Sequence, residues 1–227
     1  MIKATTKILA SAFGGQIETK SILHPSAKCP ECGSKLSKSE LRPGAEDGSR
    51  GRSRHPELEW LCPNPDCPAQ VRRGLVHWCS PEVMDIAGGD GALVAKLVGK
   101  GLARDVAELY RIKVAELAAL EGVGKEAAQK FFDAITASLK RDAWRLLFGL
   151  GIPLVAAAEA RALVGGVPTV DAVFAAGVPR LVKDAGVSEA VAQSLVRWHS
   201  ESVNRKLVKR LEKSGLNFKS ELYHSRP

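Results

Sequence analysis

Aromatic residues are scarce in this sequence and make up 5% of its 227 residues. Large aromatic-cored β-sandwiches are therefore disfavoured. Long apolar runs are also missing, because the longest uncharged stretch in the apolar middle, residues 146–158, is shorter than the ~20 residues of a membrane-spanning helix. The apolar run at residues 8–13 is too short for a secretory signal, which needs ~7–15 apolar residues. We expect a cytoplasmic globular protein with no membrane partner.

Acidic residues are outnumbered by basic ones. The sequence contains 33 Lys and Arg and 25 Asp and Glu, which gives a formal net charge of +8. Basic side chains gain free energy by displacing counterions from a phosphate backbone, so this charge favours a polyanionic partner, although many solvated surfaces reach it too. With 45% hydrophobic residues, the chain has enough apolar material for one or two folded domains.

The sequence contains only five cysteines, and an odd number argues against a disulfide framework. Four of them form two close pairs, in the segments CPEC and CPNPDC: Cys29, Cys32, Cys62 and Cys67. Two such pairs can place four thiolates around one tetrahedral Zn²⁺ at about 2.3 Å and leave no position for water. We predict a structural zinc site with these four ligands; the alternative is reduced, unligated thiols or a labile redox pair. We interpret Cys79, beside Trp78, as a buried thiol.

Between the cysteine pairs lies a segment that is rich in Gly, Ser and Arg. Residues 42–54 (RPGAEDGSRGRSR) contain almost no apolar side chains. We interpret this segment as a flexible loop whose arginines are solvated; contact with a phosphate backbone is the alternative.

Ala, Leu and Val recur at helical spacing from residue 80 onward. Turns that contain glycine interrupt the pattern at short intervals, and no convincing period-two strand is present. The sequence predicts a mostly α protein, in which a small four-cysteine zinc finger is followed by a multi-helix domain of helix-hairpin-helix motifs. The expected divisions are an N-terminal extension at 1–23, the zinc finger at 24–79, the helical domain at 80–200, and a basic C-terminal helix and tail at 201–227.

The segment LEGVGKEAAQ at residues 120–129 has the pattern of a helix-hairpin-helix motif. Its two glycines permit a tight turn that a Cβ would obstruct, and the valine between them is placed to plug between two helices. Backbone N–H groups at a helix start bind anions, so we predict that a DNA phosphate contacts Gly122, Val123, Gly124 and Lys125 without base readout. The alternative is an ordinary helical hairpin whose glycines only form the turn.

Three weaker copies of this motif are proposed, at residues 84–94, 147–156 and 181–190. The DNA contacts predicted in them are Gly149, Gly151, Gly186 and Ser188. We place Asp90 at the apolar plug position of the first copy, where its charge would repel a phosphate, and therefore favour a packing role there. Ala156 and Ser188 stand where glycine is expected, so packing is an alternative for these copies as well.

The segment NRKLVKRLEK at residues 204–213 predicts a basic amphipathic helix. Its leucines and valine share one face, and lysines and arginines surround the other. Such a helix usually docks through its apolar stripe with its charges solvated; contact with DNA or a partner is the alternative.

Five segments carry a family resemblance: CPNPDCPAQ, RRGLVHWCS, MDIAG, LEGVGKEAAQ and FGLGI, which begin at residues 62, 72, 84, 120 and 148. In order and spacing they resemble bacterial NAD-dependent DNA ligases. The resemblance covers roughly residues 24–218 and corresponds to that family's zinc finger and its domain of four helix-hairpin-helix motifs. Residues 1–23 look like a remnant of the family's OB-fold, and the nucleotidyltransferase and BRCT domains are expected to be missing.

In that family these parts clamp nicked duplex DNA, while the nucleotidyltransferase domain carries a lysine that takes AMP from NAD. That lysine normally lies in Lys-x-Asp-Gly, and the similar segment here, AEDG at residues 45–48, has alanine instead. The resemblance implies a zinc-stabilised, sequence-independent DNA-binding module for nick sealing in replication and repair. It would act as a fragment or with a separate nucleotidyltransferase chain that uses NAD; no catalytic residue is predicted, and enzymatic activity stays open. The alternative is a protein-interaction scaffold of degenerate hairpins.

Overall fold

A computed structural model describes residues 28–40 and 58–223 of the chain. The chain divides into two compact units, with the boundary after Gln70. The predicted extension at 1–23 and the predicted loop at 42–54 lie outside the described residues. Among the helices that are described, none is long and apolar enough to cross a lipid bilayer.

The first unit contains a two-stranded antiparallel sheet. Strand β1 (Ser37–Glu40) pairs with β2 (Leu58–Leu61), so that Ser37 faces Leu61 and Glu40 faces Leu58. An isolated bridge between Lys28 and Lys35 closes the turn that precedes β1. The small core of this unit consists of Cys29, Leu36 and Cys67.

The second unit is helical. The described residues after position 67 form eleven helices: α1 (Pro68–Cys79), α2 (Gly91–Gly99), α3 (Val106–Leu109), α4 (Val114–Ala118), α5 (Lys125–Ser138), α6 (Ala143–Gly149), α7 (Ala157–Gly166), α8 (Val170–Ala175), α9 (Val178–Ala185), α10 (Glu189–Ser200) and α11 (Ser202–Lys213). Helix α1 begins in the first unit and continues into the second. The predicted mostly helical fold, with a cysteine cluster in its N-terminal part, is confirmed.

Side-chain caps explain where several of these helices begin. An oxygen of the capping side chain accepts a hydrogen bond from a first-turn N–H, which satisfies a backbone group that has no partner inside the helix. The caps of this kind are Asp90 on α2, Asp105 on α3, Asp142 on α6, Thr169 on α8 and Ser188 on α10.

Antiparallel helix pairs joined by short turns form most of the core. Helix α4 packs against α5, α6 against α7, and α9 against α10. Fully buried side chains lie between them, including Leu117, Phe131, Leu146, Leu163 and Leu195. Helix α7 also approaches α9 so closely that a Cβ on Gly166 would lie 2.2 Å from the carbonyl oxygen of Asp184. The turns between paired helices are thereby held by apolar packing on both sides.

Candidate nucleic-acid interface and cysteine cluster

Four cysteine side chains converge in the first unit. The sulfur atoms of Cys29, Cys32, Cys62 and Cys67 all lie within 4.8 Å of one another. The Cys29–Cys67 sulfurs are 3.7 Å apart and the Cys32–Cys62 sulfurs 3.4 Å apart. Four sulfurs at about 2.3 Å from a central metal form a tetrahedron with edges of about 3.8 Å. The cluster therefore has the size and the donor chemistry of a four-thiolate metal site, and all four thiols are free.

Tight backbone turns aim the sulfurs at a common centre. Gly33 adopts φ +72° directly after Cys32, a left-handed conformation that glycine reaches without strain. Its N–H donates to the Cys29 carbonyl at 2.8 Å. On the other side of the sheet pairing, Cys62 follows β2 directly, and the Cys67 N–H donates to the Asn64 carbonyl at 3.1 Å.

Cys32, Cys62 and Cys67 differ in acidity. Hydrogen bonds from Ser34 lower the pKa of Cys32 to about 6. Burial raises the pKa of Cys67, and it raises that of Cys62 to about 12. A cation is therefore required to hold all four groups as thiolates at neutral pH. The four cysteines can bind a metal ion, and the identity of that ion as zinc stays a prediction.

In the second unit, four turns share one backbone pattern. Each has a residue with left-handed φ, then a residue between the helices, then the N-cap of the following helix. The left-handed residues are Gly88 (φ +87°), Gly122 (+73°), Leu154 (+67°) and Gly186 (+70°). The N-caps two positions later are Asp90, Gly124, Ala156 and Ser188. Successive left-handed residues are 34, 32 and 32 positions apart, so the repeat is nearly regular.

The residue in the middle of each turn packs inward. Val155 and Val187 are buried, and Val123 is half-buried. The first turn has Gly89 there, and a Cβ on Gly89 would lie 2.6 Å from the Cys79 sulfur. The buried Cys79 side chain thus occupies the space that a valine fills in the other turns.

The structure corrects the assignment of Asp90. We placed Asp90 at the plug position, but Gly89 is there, and Asp90 caps α2 by accepting from the Leu93 N–H at 2.8 Å. The sequence pattern is ambiguous here because three glycines, Gly88, Gly89 and Gly91, surround Asp90. Gly88 has the left-handed position and Gly89 the plug position, so the motif begins one residue earlier than the pattern suggested.

The third turn lies within the predicted segment 147–156, but the two glycines predicted as its DNA contacts lie outside it. Gly149 is the last residue of α6 and is buried, and a Cβ on it would lie 2.6 Å from Val83 and 2.7 Å from Trp78. Gly151 is exposed and left-handed, but it only ends α6. The hairpin turn itself runs through residues 154–156, where a leucine takes the position that glycine holds in the other three. The spacing of 32 residues from Gly122 was the available signal.

The four helix starts differ in how their backbone N–H groups are occupied. Asp90 and Ser188 accept from the N–H groups of Leu93 and Val191. No side chain in the described part of the chain caps the first turn of α5, which begins at Lys125. The first-turn N–H groups of α5 are therefore open to an external acceptor, as are those of α7, whose N-cap Ala156 has no side-chain cap either, while those of α2 and α10 are partly used.

A lysine that sequence reasoning missed supports the second turn. The Lys96 ammonium donates to the Glu121 carbonyl at 2.7 Å, and with Lys100 it lines an open cavity beside Gly122. Gly186 and Ser188 lie together at the fourth turn, as the pattern predicted, whereas Gly149 and Gly151 lie outside the third. Because Lys96 and Glu121 are 25 residues apart, only the folded arrangement of the hairpins shows this contact.

The fold and site together define a helix-hairpin-helix protein with a four-cysteine cluster. A family described as Helix-hairpin-helix motif matches residues 145–208, which contain the third and fourth turns. The chain is 40% identical over 191 residues to a DNA ligase of Rubrobacter xylanophilus, covering 84% of this chain and 26% of the ligase. It is 38% identical over 189 residues to a DNA ligase of Chlorobium chlorochromatii, covering 83% and 26%. The chain thus spans about a quarter of the curated relatives it matches, and the predicted resemblance to a portion of DNA ligases is confirmed.

Proposed function

We propose that this chain is a duplex-DNA-binding module of a DNA ligase, in which residues 122–125 receive a backbone phosphate. The observation that carries the proposal is the open start of α5, where Gly124 is the N-cap and no described side chain occupies the first-turn N–H groups. The similarity to DNA ligases over 84% of the chain supports the ligase context.

The electrostatics of the second turn favour an anion. A 14-residue helix carries about half a positive charge at its N-terminus, and its free N–H groups point toward a ligand there. Exposed Lys125 adds a full charge, and the adjacent cavity has a net charge of about one more, because Lys96 and Lys100 line it together with Glu121. The nearby carboxylate of Glu126 is paired with Lys130 at 2.8 Å. Phosphate contact through backbone groups carries no base information, so binding is independent of sequence.

The first and fourth turns contribute less. At the fourth turn, Ser188 uses its hydroxyl as a cap, which leaves the Gly186 and Ser188 backbone as a second contact of lower charge. At the first turn, the Asp90 carboxylate opposes a phosphate and the turn serves packing. Gly149 is not proposed as a contact because it is buried.

Zinc is the metal that best suits the cysteine cluster. Four soft thiolates in a tetrahedral arrangement are typical of structural Zn²⁺, and a closed ligand set leaves no place for a catalytic water. The described residues of the first unit form only a small core around Cys29, Leu36 and Cys67, which is too little to stabilise them by burial. Bound zinc would supply that stability. We expect one zinc per chain by elemental analysis, and a Cys29→Ser, Cys67→Ser variant without zinc.

The ligase role follows from the similarity of this region. We propose that the module holds nicked duplex DNA in replication and repair, in the cytoplasm. Adenylyl transfer from NAD takes place on a nucleotidyltransferase domain outside these residues, in the same or a separate chain. The zinc finger at 24–79, the helical domain at 80–200 and the basic segment at 201–227 are its proposed divisions.

Substitution of Gly124 tests the proposal. A side chain fits at this position, since a Cβ there meets nothing within 4 Å and the residue has an ordinary extended conformation. We compare Gly124→Asp with the isosteric Gly124→Asn, both of which are good N-caps. Fluorescence anisotropy with a nicked duplex should show a several-fold weaker affinity for the Asp variant, because its carboxylate lies where the phosphate binds.

The salt dependence completes the test. Affinity of the unmodified protein should fall with added salt at a log–log slope of about −0.9 for each phosphate contacted. Equal affinities of the Asp and Asn variants would contradict the proposal that the second turn binds a phosphate. Absence of DNA binding at low ionic strength would favour the protein-interaction scaffold instead.

A further inference from the structure

Helix α11 presents a row of three lysines to solvent. Lys206, Lys209 and Lys213 are spaced three and four residues apart, so at 100° per residue they share one face of the helix. All three are exposed. Val208 and Leu211 lie on the opposite face and are buried. We call these three residues the lysine row.

The other basic residues of α11 have structural partners. Arg210 forms an ion pair with Asp105, the residue that caps α3. Arg205 donates to the carbonyl oxygens of His199 and Ser200 near the end of α10. Within residues 28–40 and 58–223, by contrast, the lysine row has no hydrogen-bond or ion-pair partner.

Helix stability does not account for the row. Lys213 lies in the last turn, where a cation interacts favourably with the helix dipole. Lys206 and Lys209 lie before that turn and gain nothing comparable, since the effect fades within one turn. Glu212 is the acidic residue of this helix; it lies three residues from Lys209 but forms no ion pair with it in the described part of the chain, and one carboxylate leaves a net positive charge on the row.

The buried apolar face of α11 favours a phosphate backbone over a lipid membrane as the anionic partner of the lysine row. A helix that binds a lipid membrane inserts its apolar face into the bilayer. Val208 and Leu211 already pack inside the protein, so α11 cannot do so without undocking. A phosphate backbone requires only exposed cations. The rise from Lys206 to Lys213 is about 10 Å at 1.5 Å per residue, which is long enough for the row to reach more than one phosphate of a strand.

We propose that the lysine row is a second phosphate contact, separate in sequence from the hairpin turns, that follows one strand of the duplex. It rests on the proposed DNA-binding function and deepens it. The row adds affinity and salt dependence without sequence preference, because mobile ammonium groups read charge and not base edges.

The test replaces Lys206, Lys209 and Lys213 together by Gln. Glutamine keeps helix propensity and removes three charges from exposed positions, so the fold should be unchanged by circular dichroism. The matched control replaces Lys113, Lys140 and Lys219 by Gln, which removes the same charge from exposed positions outside the hairpin turns. Both are titrated with a nicked duplex by fluorescence anisotropy between about 50 and 200 mM salt.

We expect the row variant to lower the log–log salt slope by about 0.9 for each lysine that contacts a phosphate, and the control to lower it less. Equal slopes for the row variant and the unmodified protein would contradict the proposal that the lysine row contacts phosphates. The proposed contact at the second hairpin turn would not be affected by that result. Equal losses in the two variants would also contradict the lysine-row proposal, because net charge would then explain the effect. If the unmodified protein does not bind DNA, the proposed function itself fails.

Discussion

The indole N–H of Trp78 donates to the Tyr110 hydroxyl at 3.0 Å, and the two rings meet edge to face. The same hydroxyl lies 3.1 Å from the hydroxyl of Ser138. Trp78 and Ser138 are almost fully buried, so these polar groups have no access to water. The three side chains connect the end of α1, the residue after α3 and the end of α5.

Removal of the Tyr110 hydroxyl should destabilise the helical unit. In a Tyr110→Phe variant, the Trp78 N–H loses its acceptor in a buried site, which typically costs about 1–3 kcal/mol. Urea denaturation followed by circular dichroism measures this change. Tyr223→Phe is the control, because Tyr223 is 36% exposed and should change the free energy of unfolding by less than about 0.5 kcal/mol. Similar values for the two variants would mean that the network contributes nothing.

Alkaline pH should weaken the fold through two buried groups. Burial raises the pKa of Cys79 from 9.0 to about 12 and that of Tyr110 from 10.0 to about 12. The unfolded chain therefore releases these protons first. Their contribution to stability is complete below about pH 9 and is lost as pH rises toward 12. Urea midpoints should fall from pH 9 to pH 11, and less steeply in a Cys79→Ala variant. A urea midpoint that stays constant or rises over this range would contradict the raised pKa values of Cys79 and Tyr110 in the folded protein.

Alkylation of the native protein should spare Cys79. The thiolate is the reactive form, and a buried thiol with a raised pKa is both protonated and inaccessible at pH 8. We expect mass spectrometry to find Cys79 unlabelled after brief iodoacetamide treatment and labelled after unfolding. Cys32, whose pKa Ser34 lowers to about 6, should react first once chelators have removed any metal. Labelling of both residues at the same rate would show that Cys79 is accessible.

Two adjacent glycines at the end of α7 should respond oppositely to alanine. A Cβ on Gly166 would lie 2.2 Å from the Asp184 carbonyl oxygen and 2.5 Å from the Ala185 Cα, so backbone must move. We expect Gly166→Ala to destabilise by about 1–3 kcal/mol or more. A Cβ on Gly165 meets only the Leu222 carbonyl at 3.6 Å, and Gly165→Ala should be neutral or stabilising. Thermal melts of the pair compare them, and equal midpoints would exclude a close approach of α7 and α9.

Leucine at the third turn should be replaceable by glycine at little cost in stability. Leu154 has φ +67° and is 42% exposed, so it bears the strain of a left-handed side chain and gains little from burial. We expect Leu154→Gly to be neutral or stabilising by up to about 1 kcal/mol. The reverse change, Gly186→Ala at φ +70°, should destabilise by about 1 kcal/mol. A clear loss of stability in Leu154→Gly would mean that the leucine packs in a way that its exposure conceals.

Local patterns predicted much of the fold. The spacing within each cysteine pair identified the cluster, because each pair is shaped by its own short turn, as Gly33 shows. Helical periodicity predicted the helical region, and LEGVGKEAAQ predicted the second turn, since that segment holds both glycines. The contacts predicted in the third copy, Gly149 and Gly151, lie outside its turn because Leu154, and not a glycine, has the left-handed conformation there, in a segment where Ser194 donates to the Pro153 carbonyl.

Contacts between distant residues were not predictable in this way. The packing of Cys79 against Gly89 joins the end of α1 to the first turn, and the hydrogen bond from Lys96 to Glu121 joins α2 to the second turn. Neither leaves a periodic or compositional signal, because each depends on how one segment packs against another. Sequence reasoning therefore found the turns more readily than the side chains that support them.

The near-constant interval of 32 to 34 residues between left-handed positions restricts how the chain can change in length. Inserting one residue within a helix would rotate everything beyond it by about 100°, and would carry side chains such as Leu163 or Leu195 from the interior toward water. Gains and losses of residues are thus tolerated only in exposed loops that connect one hairpin to the next.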